Sequence, residues 1–228
     1  MKTVNQDHID PFAVTDCALI AIATGEKAHN LRELHDRLTR SRGDDILYYH
    51  FWGGLLRPHF VDPEYQNDFA GWAYHELHDR SLAERLAIIN PASFDDMQEL
   101  RQAVIDVIET RMDEDPMSPR IEAEQPFFFM RSQIVVFDTA VRIDDPEAMA
   151  DITSQLTSGS LFYHFIDARR RSAMRKDDFS EWLSAKGPAY APLVEALTVV
   201  DPYFNSLLEL RDQLAAIFEA HLKKGDRK

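Results

Sequence analysis

The chain has 228 residues, 45% of them hydrophobic and including 14 Phe and 7 Tyr, which supplies a buried core and excludes disorder as the general state. Its formal net charge of -14 opposes the long-range attraction to phosphate backbones on which DNA and RNA binding depend, so nucleic acid is not an expected partner. A single cysteine, Cys17, excludes an internal disulfide; no apolar run approaches the roughly 20 residues of a membrane helix, no signal-peptide pattern opens the sequence, and a soluble, cytoplasmic protein is expected.

In chain order, Phe12 to Ala23 reads as a strand, although its alanines also suit a helix. Asn30 then precedes Leu31, Leu34 and Leu38 at helical spacing, which is an N-cap followed by an amphipathic helix. Leu47-Tyr48-Tyr49-His50-Phe51 opens a second helix. Asn67 or Asp68 caps a third, in which Phe69 and Trp72 share a face. Leu100, Val104, Ile105 and Ile108 follow in the order of a closing amphipathic helix. The acidic stretch from Thr110 to Gln125 holds Pro116 and Pro119 and few apolar residues, the composition of a linker.

The same order then recurs. Pro126-Phe127 repeats Pro11-Phe12 and opens an apolar strand that reaches Asp138. Asp145-Pro146 marks a helix start before Met149, Ile152 and Leu156. Leu161-Phe162-Tyr163-His164-Phe165 repeats the Tyr-His segment, and Asp178-Phe179 with Trp182 repeats Asp68-Phe69 with Trp72. Phe204 with Glu209-Leu210-Arg211 repeats Phe94 with Glu99-Leu100-Arg101, and the closing helix carries Leu207, Leu210, Leu214 and Ile217. Matching landmarks built on Trp, His and Tyr keep their order, so the chain reads as one unit of about 100 residues written twice. The repeats span residues 1–110 and 126–228, with residues 111–125 as linker.

Each repeat is a strand followed by about four helices. One strand cannot satisfy its own backbone groups, so the two are expected to pair with each other or with a second chain. The expected fold class is α+β and helix-rich: an internal duplication docked as one pseudo-two-fold domain with a small sheet, present as a monomer or a homodimer.

These motifs carry a resemblance. The segment Thr24-Gly25-Glu26-Lys27-Ala28-His29-Asn30-Leu31-Arg32-Glu33-Leu34, the Tyr-Tyr-His helix, Asn67-Asp68-Phe69 with Trp72, Phe165-Ile166-Asp167-Ala168-Arg169, and Asp178-Phe179-Ser180-Glu181-Trp182 resemble a bacterial and archaeal family known only as a domain of unknown function. The resemblance spans nearly the whole chain and brings no catalytic residues with it. It implies a link to carbohydrate metabolism, since such genes often stand beside glycosyltransferase or trehalose-metabolism genes. Asp177 departs from the Asn usual in that family before Asp178, a change a helix cap accepts.

His50 and His164 hold equivalent places. Two imidazoles brought together could bind a metal or act on a ligand with Asp68 and Asp178 as partners. The structural alternative, in which each ring bonds a carboxylate or carbonyl inside its own copy and joins two helices, is preferred, because retention in both copies suits a role performed twice. His75-Glu76-Leu77-His78 places its histidines three apart where a zincin helix needs four, and no counterpart stands near Ala185-Lys186-Gly187, so no metal site is expected. Trp72 and Trp182 could stack a sugar but read as core.

Arg169, Arg170, Arg171, Arg175 and Lys176 form the one dense basic cluster of an acidic chain. They could serve the dipole of a helix C-terminus. Guanidinium forks also suit a phosphate, a sugar phosphate or an acidic partner. The first repeat has Gly53, Gly54 and Leu55 in roughly that place, so the cluster distinguishes the copies and is the expected ligand-binding surface. No nucleophile motif stands out, only 8 Gly are present, no phosphate loop is formed, and no cofactor is expected. The sequence therefore points to a non-catalytic accessory or regulatory protein that binds a small acidic ligand or a partner protein. The alternatives are an enzyme, with or without a metal, that uses His50, His164, Asp68 and Asp178, and a structural interaction module.

Overall fold

Two long strands carry the only sheet among the described residues, which in this computed structural model are 10–41, 43–57 and 64–222. They are β1 (Phe12–Ala28) and β2 (Phe127–Ile143). The Thr24 hydroxyl, near the end of β1, donates to the carbonyl of Phe129 near the start of β2, and the Thr139 hydroxyl, near the end of β2, donates to the carbonyl of Val14 near the start of β1. The strands are therefore antiparallel. Both run past their expected ends at Ala23 and Asp138. Gly25, Glu26, Lys27 and Ala140 have little intrinsic strand preference, and pairing with the other strand decides their conformation.

The chain divides into two compact units whose bounds differ from those of the expected repeats. One is Leu19–Ile134; the other joins the residues up to Ala18 to those from Val135 onward. The start of β1 thus belongs with the helices that follow β2, and the start of β2 with the helices that follow β1.

In the unit Leu19–Ile134, the helices are α1 (Leu31–Arg40), α2 (Asp44–Leu56), α3 (Asp68–His75), α4 (Arg80–Ala87) and α5 (Met97–Glu114). The expected caps form: the Asn30 side chain accepts from the Glu33 amide and that of Asn67 from the Ala70 amide. Helix α5 packs against α1, α2 and α4, and α3 lies on α4. Leu31, Leu34, Leu38, Phe51, Phe69, Leu82, Leu100, Val104 and Ile108 fill the core. The stretch expected as a linker is tied down. Its first residues complete α5, Ser118 and Pro119 are buried, and the amides of Ala123 and Glu124 donate to the carbonyls of His29 and Glu76.

The other unit contains α6 (Met149–Ile152), α7 (Ser158–Leu161), a π-helical turn (Phe162–Asp167), α8 (Ala168–Arg171), α9 (Asp178–Lys186), α10 (Ala191–Thr198) and α11 (Leu207–Leu222). Helix α11 packs on α6, α7 and α10, and α10 on α9. At the helix start marked by Asp145-Pro146, Pro146–Ala148 form a 3-10 turn ahead of α6 and the Asp145 side chain makes no cap bond. Leu207, Leu210 and Leu214 face the core as expected, with Phe218 rather than Ile217 completing the stripe. The molecule is thus a helix-rich α+β protein with a small antiparallel sheet. Among the described residues no helix is long and apolar enough to cross a membrane.

Candidate functional site

Each unit seats the start of one strand in the same way. In the unit Leu19–Ile134, the ring of Phe127 lies 4.6 Å from that of His50, stacks on Phe69 at 5.0 Å and meets the edge of Trp72 at 5.7 Å. The Trp72 indole N–H donates to the carbonyl of Gln125 at 2.8 Å. The Met130 amide donates to His50 Nε2 at 3.0 Å, and His50 Nδ1 lies 2.8 Å from Asp68 Oδ2. Arg57 closes the set: its Nη2 donates to both Asp68 oxygens, and its guanidinium sits over the Tyr49 ring.

In the other unit Phe12 packs among His164, Phe179 and Trp182 at 4.8, 5.2 and 5.6 Å between ring centres. The Trp182 indole donates to the carbonyl of Asp10, and the Thr15 amide donates to His164 Nε2 at 2.8 Å. His164 Nδ1 lies 2.7 Å from Asp178 Oδ2, Arg171 Nη2 donates to the same oxygen, and the guanidinium lies over Tyr163.

The hydrogen bonds settle the imidazole chemistry. A backbone N–H donates to each Nε2, so that nitrogen carries no proton, and the ring hydrogen of the neutral form sits on Nδ1, where it donates to the carboxylate. His50 and His164 are 2% and 3% exposed, and each ring has both nitrogens engaged inside one unit. Burial lowers the pKa of His50 below its ordinary 6.5, against the opposing pull of Asp68. Burial works to raise that of Asp68, but the hydrogen bond from His50 and the charge of Arg57 hold it below 3.8. The expected bond to a carboxylate is present at both histidines; the second bond, to an amide of a strand distant in sequence, was not expected, because only the tertiary pairing brings that strand there.

Arg57 was missed as a member of the set. It stands at the same spacing after Phe51 as Arg171 does after Phe165, but two further arginines before Arg171 and two leucines before Arg57 hide the match.

The basic cluster is largely committed to carboxylates. Arg170 donates twice to Asp167 Oδ1, and Arg171 donates to Asp167 Oδ2, to the Tyr163 carbonyl and to Asp178. Asp167 is itself buried and lies where Gly53 stands in the first repeat; a side chain at Gly53 would come within 3.1 Å of the Tyr49 ring, whereas Asp167 ends a wider π turn. Arg169 lies over the Phe165 ring at 4.7 Å, and burial lowers its pKa, opposed by the carboxylates of Asp177 and Asp201. Leu55, Asn67 and Asn90 stand at the matching places of the first half when Asn90-Pro91 is paired with Asp201-Pro202, so one cation and two carboxylates replace an aliphatic residue and two neutral side chains. Arg175 lies in the following loop with φ +54° and Lys176 is half-buried beside it.

Two clefts adjoin this region. One, of about 390 Å³, is bordered by Phe12, Tyr163, His164, Asp178, Glu181 and Trp182. The second, of about 250 Å³, shares Asp178 and Glu181 and continues to Arg171, Ala173 and Met174. Trp72 and Trp182 are core residues, as expected. Among the described residues no three of His, Cys, Asp and Glu stand where they could hold a metal ion. His75 is the last residue of α3, and His78, with φ +55°, turns away to bond Glu124, so the two rings do not share a helical face.

The sequence matches a family of unknown function, DUF5752, over residues 9–219. The chain belongs to that family. This agrees with the resemblance read from its motifs, and membership of DUF5752 brings no assigned activity. The solved structure of OrfY from Thermoproteus tenax is similar, with a TM-score of 0.77 at 23% identity, covering 96% of this chain and 99% of that one. That similarity shows the fold. No curated protein matches the chain.

Proposed function

We propose that this DUF5752 protein is a duplicated module that works without catalysing a reaction, as an accessory or regulatory protein. We infer that it recognises a partner protein through Arg169 to Lys176 and the two clefts beside them. One observation carries the reading: the residues best suited to acid-base work, His50 and His164, have both ring nitrogens engaged in holding strands. Duplication is supported by the recurrence of the same six-residue seat, Tyr, His, Arg, Asp, Phe and Trp around a Pro-Phe strand start, in both units.

A partner protein fits this surface better than a small acid. The guanidiniums of Arg170 and Arg171 are held by Asp167 and Asp178, and Asp178 and Glu181 line both clefts. The side chains that protrude, Met174 at 73% exposure and Arg170, are of the types enriched at protein interfaces. A cytoplasmic setting belongs to the same reading, with Cys17 buried and reduced.

A photoreactive side chain placed at Met174, compared in the native host with one at the equally exposed Ile88 of the other unit, tests this. A discrete adduct from position 174 and none from 88 supports the reading. No adduct from 174, or the same adducts from both, removes it. Binding of inorganic phosphate or a sugar phosphate that Lys176→Ala abolishes would put a small acidic ligand in the partner's place.

A further inference from the structure

We propose that His50 is an acid-sensitive latch: its neutral ring holds the start of β2 in its seat, and protonation at Nε2 releases the Met130 end of that strand.

Groups from α2, α3 and β2 surround the His50 ring. From α2, the Tyr49 ring meets it edge-on at 5.1 Å. From α3, Asp68 takes the Nδ1 hydrogen and Phe69 lies 5.3 Å away. From β2, the Met130 amide points at Nε2, flanked by the rings of Phe127 and Phe129. Asp68 and, behind it, Arg57 are the charged groups that act on His50. The partner of Nε2 is the Met130 N–H, a donor that cannot accept a hydrogen bond in return. A proton there turns an acceptor into a donor facing another donor, in a place 2% exposed where water cannot take up either hydrogen.

Asp68 does not offset this loss. Its carboxylate is shared with Arg57, which bonds both oxygens, so the charge available to an imidazolium is already partly neutralised. The strand end is the part able to yield. It is joined to the helices by the Met130 amide, the rings of Phe127 and Phe129, the Gln125 carbonyl that accepts from the Trp72 indole and the Ser132 hydroxyl that donates to the Asp45 carbonyl, whereas Asp68 is fixed in the first turn of α3. The same arrangement of a strand amide on Nε2 and a carboxylate on Nδ1 recurs at His164 with Thr15 and Asp178.

The test uses the full chain labelled with ¹⁵N. Long-range ¹H–¹⁵N spectra of the imidazoles and amide hydrogen exchange would be followed together as the pH is lowered from neutrality. Near neutrality Nε2 of His50 should be unprotonated and Nδ1 protonated. In acid the protection of the Met130 amide should fall as Nε2 takes a proton, by about tenfold for each pH unit separating the ring's free and folded titration points. The Ile105 amide, in the middle of α5, should stay protected. The proposal is overturned if Nε2 is protonated at neutral pH, if His50 titrates with Met130 still protected, or if Met130 and Ile105 lose protection together.

Discussion

His50 and Met130 lie 80 residues apart in the chain and are joined by one hydrogen bond, from the strand amide to an imidazole nitrogen. That bond, with its counterpart between Thr15 and His164, explains why a histidine is present at both places: a ring that donates on one side and accepts on the other spans a helix-borne carboxylate and a strand amide.

His50→Ala and His164→Ala should each destabilise the protein by about 2–4 kcal/mol, through a cavity among aromatic rings and a buried amide left without an acceptor. Urea unfolding would measure it. A loss below about 1 kcal/mol in both variants would mean the strand starts are not held by these rings.

Stability should also depend on pH through His50. Its folded pKa lies below the ordinary 6.5, so the unfolded chain binds more protons in the interval between the two values. The contribution is complete above pH 6.5 and is lost as pH falls toward the folded value. Asp68 is held below 3.8, so its own contribution is lost only as pH falls through its lower folded value. Urea midpoints of the native chain should therefore decline on acidification before carboxylates titrate, and a folded His50→Gln variant should lack that part of the decline.

Gly159 permits a close approach of α7 to β1. A Cβ there would overlap Asp16 Oδ1 and the carbonyl of Cys17, so Gly159→Ala should cost about 1–3 kcal/mol. Gly71, inside α3, has nothing near an added methyl, and Gly71→Ala should be neutral or stabilise by up to about 1 kcal/mol. Thermal unfolding of the pair separates contact from helix propensity.

Arg169→Leu should destabilise by roughly 1–2 kcal/mol, since Asp177 and Asp201 lose the cation that acts on them and Arg169 is only half-buried. The triple change Arg169→Leu/Asp177→Asn/Asp201→Asn reproduces the set found in the first repeat and should recover most of the loss. Additive destabilisation across the three would show that they do not act together.

Burial pushes the Cys17 thiol up to about 12, with Asp167 and Asp16 adding to the effect. Folded protein should react with a disulfide reagent at mildly alkaline pH only as fast as it opens, and denatured protein at once. Rapid reaction without unfolding would show that the thiol is accessible.

The repeated landmarks, helix caps and amphipathic stripes could be read in the sequence because each is a local pattern: Asn30 and Asn67 cap through amides three residues on, and Leu31, Leu34 and Leu38 share a face by spacing alone. The extension of both strands past Ala23 and Asp138 could not, because pairing rather than propensity holds those residues. Nor could Arg57 be told from an ordinary surface arginine until Asp68 was seen to join it to His50.

The sequence by itself determined that the chain is helix-rich, that its two parts share a pattern, and which rare residues recur in them, since spacing and residue type act over a few turns. Only the tertiary structure decided which strand start meets which helices. That choice depends on an amide and an aromatic ring delivered from far along the chain to an imidazole that must stay neutral to receive them.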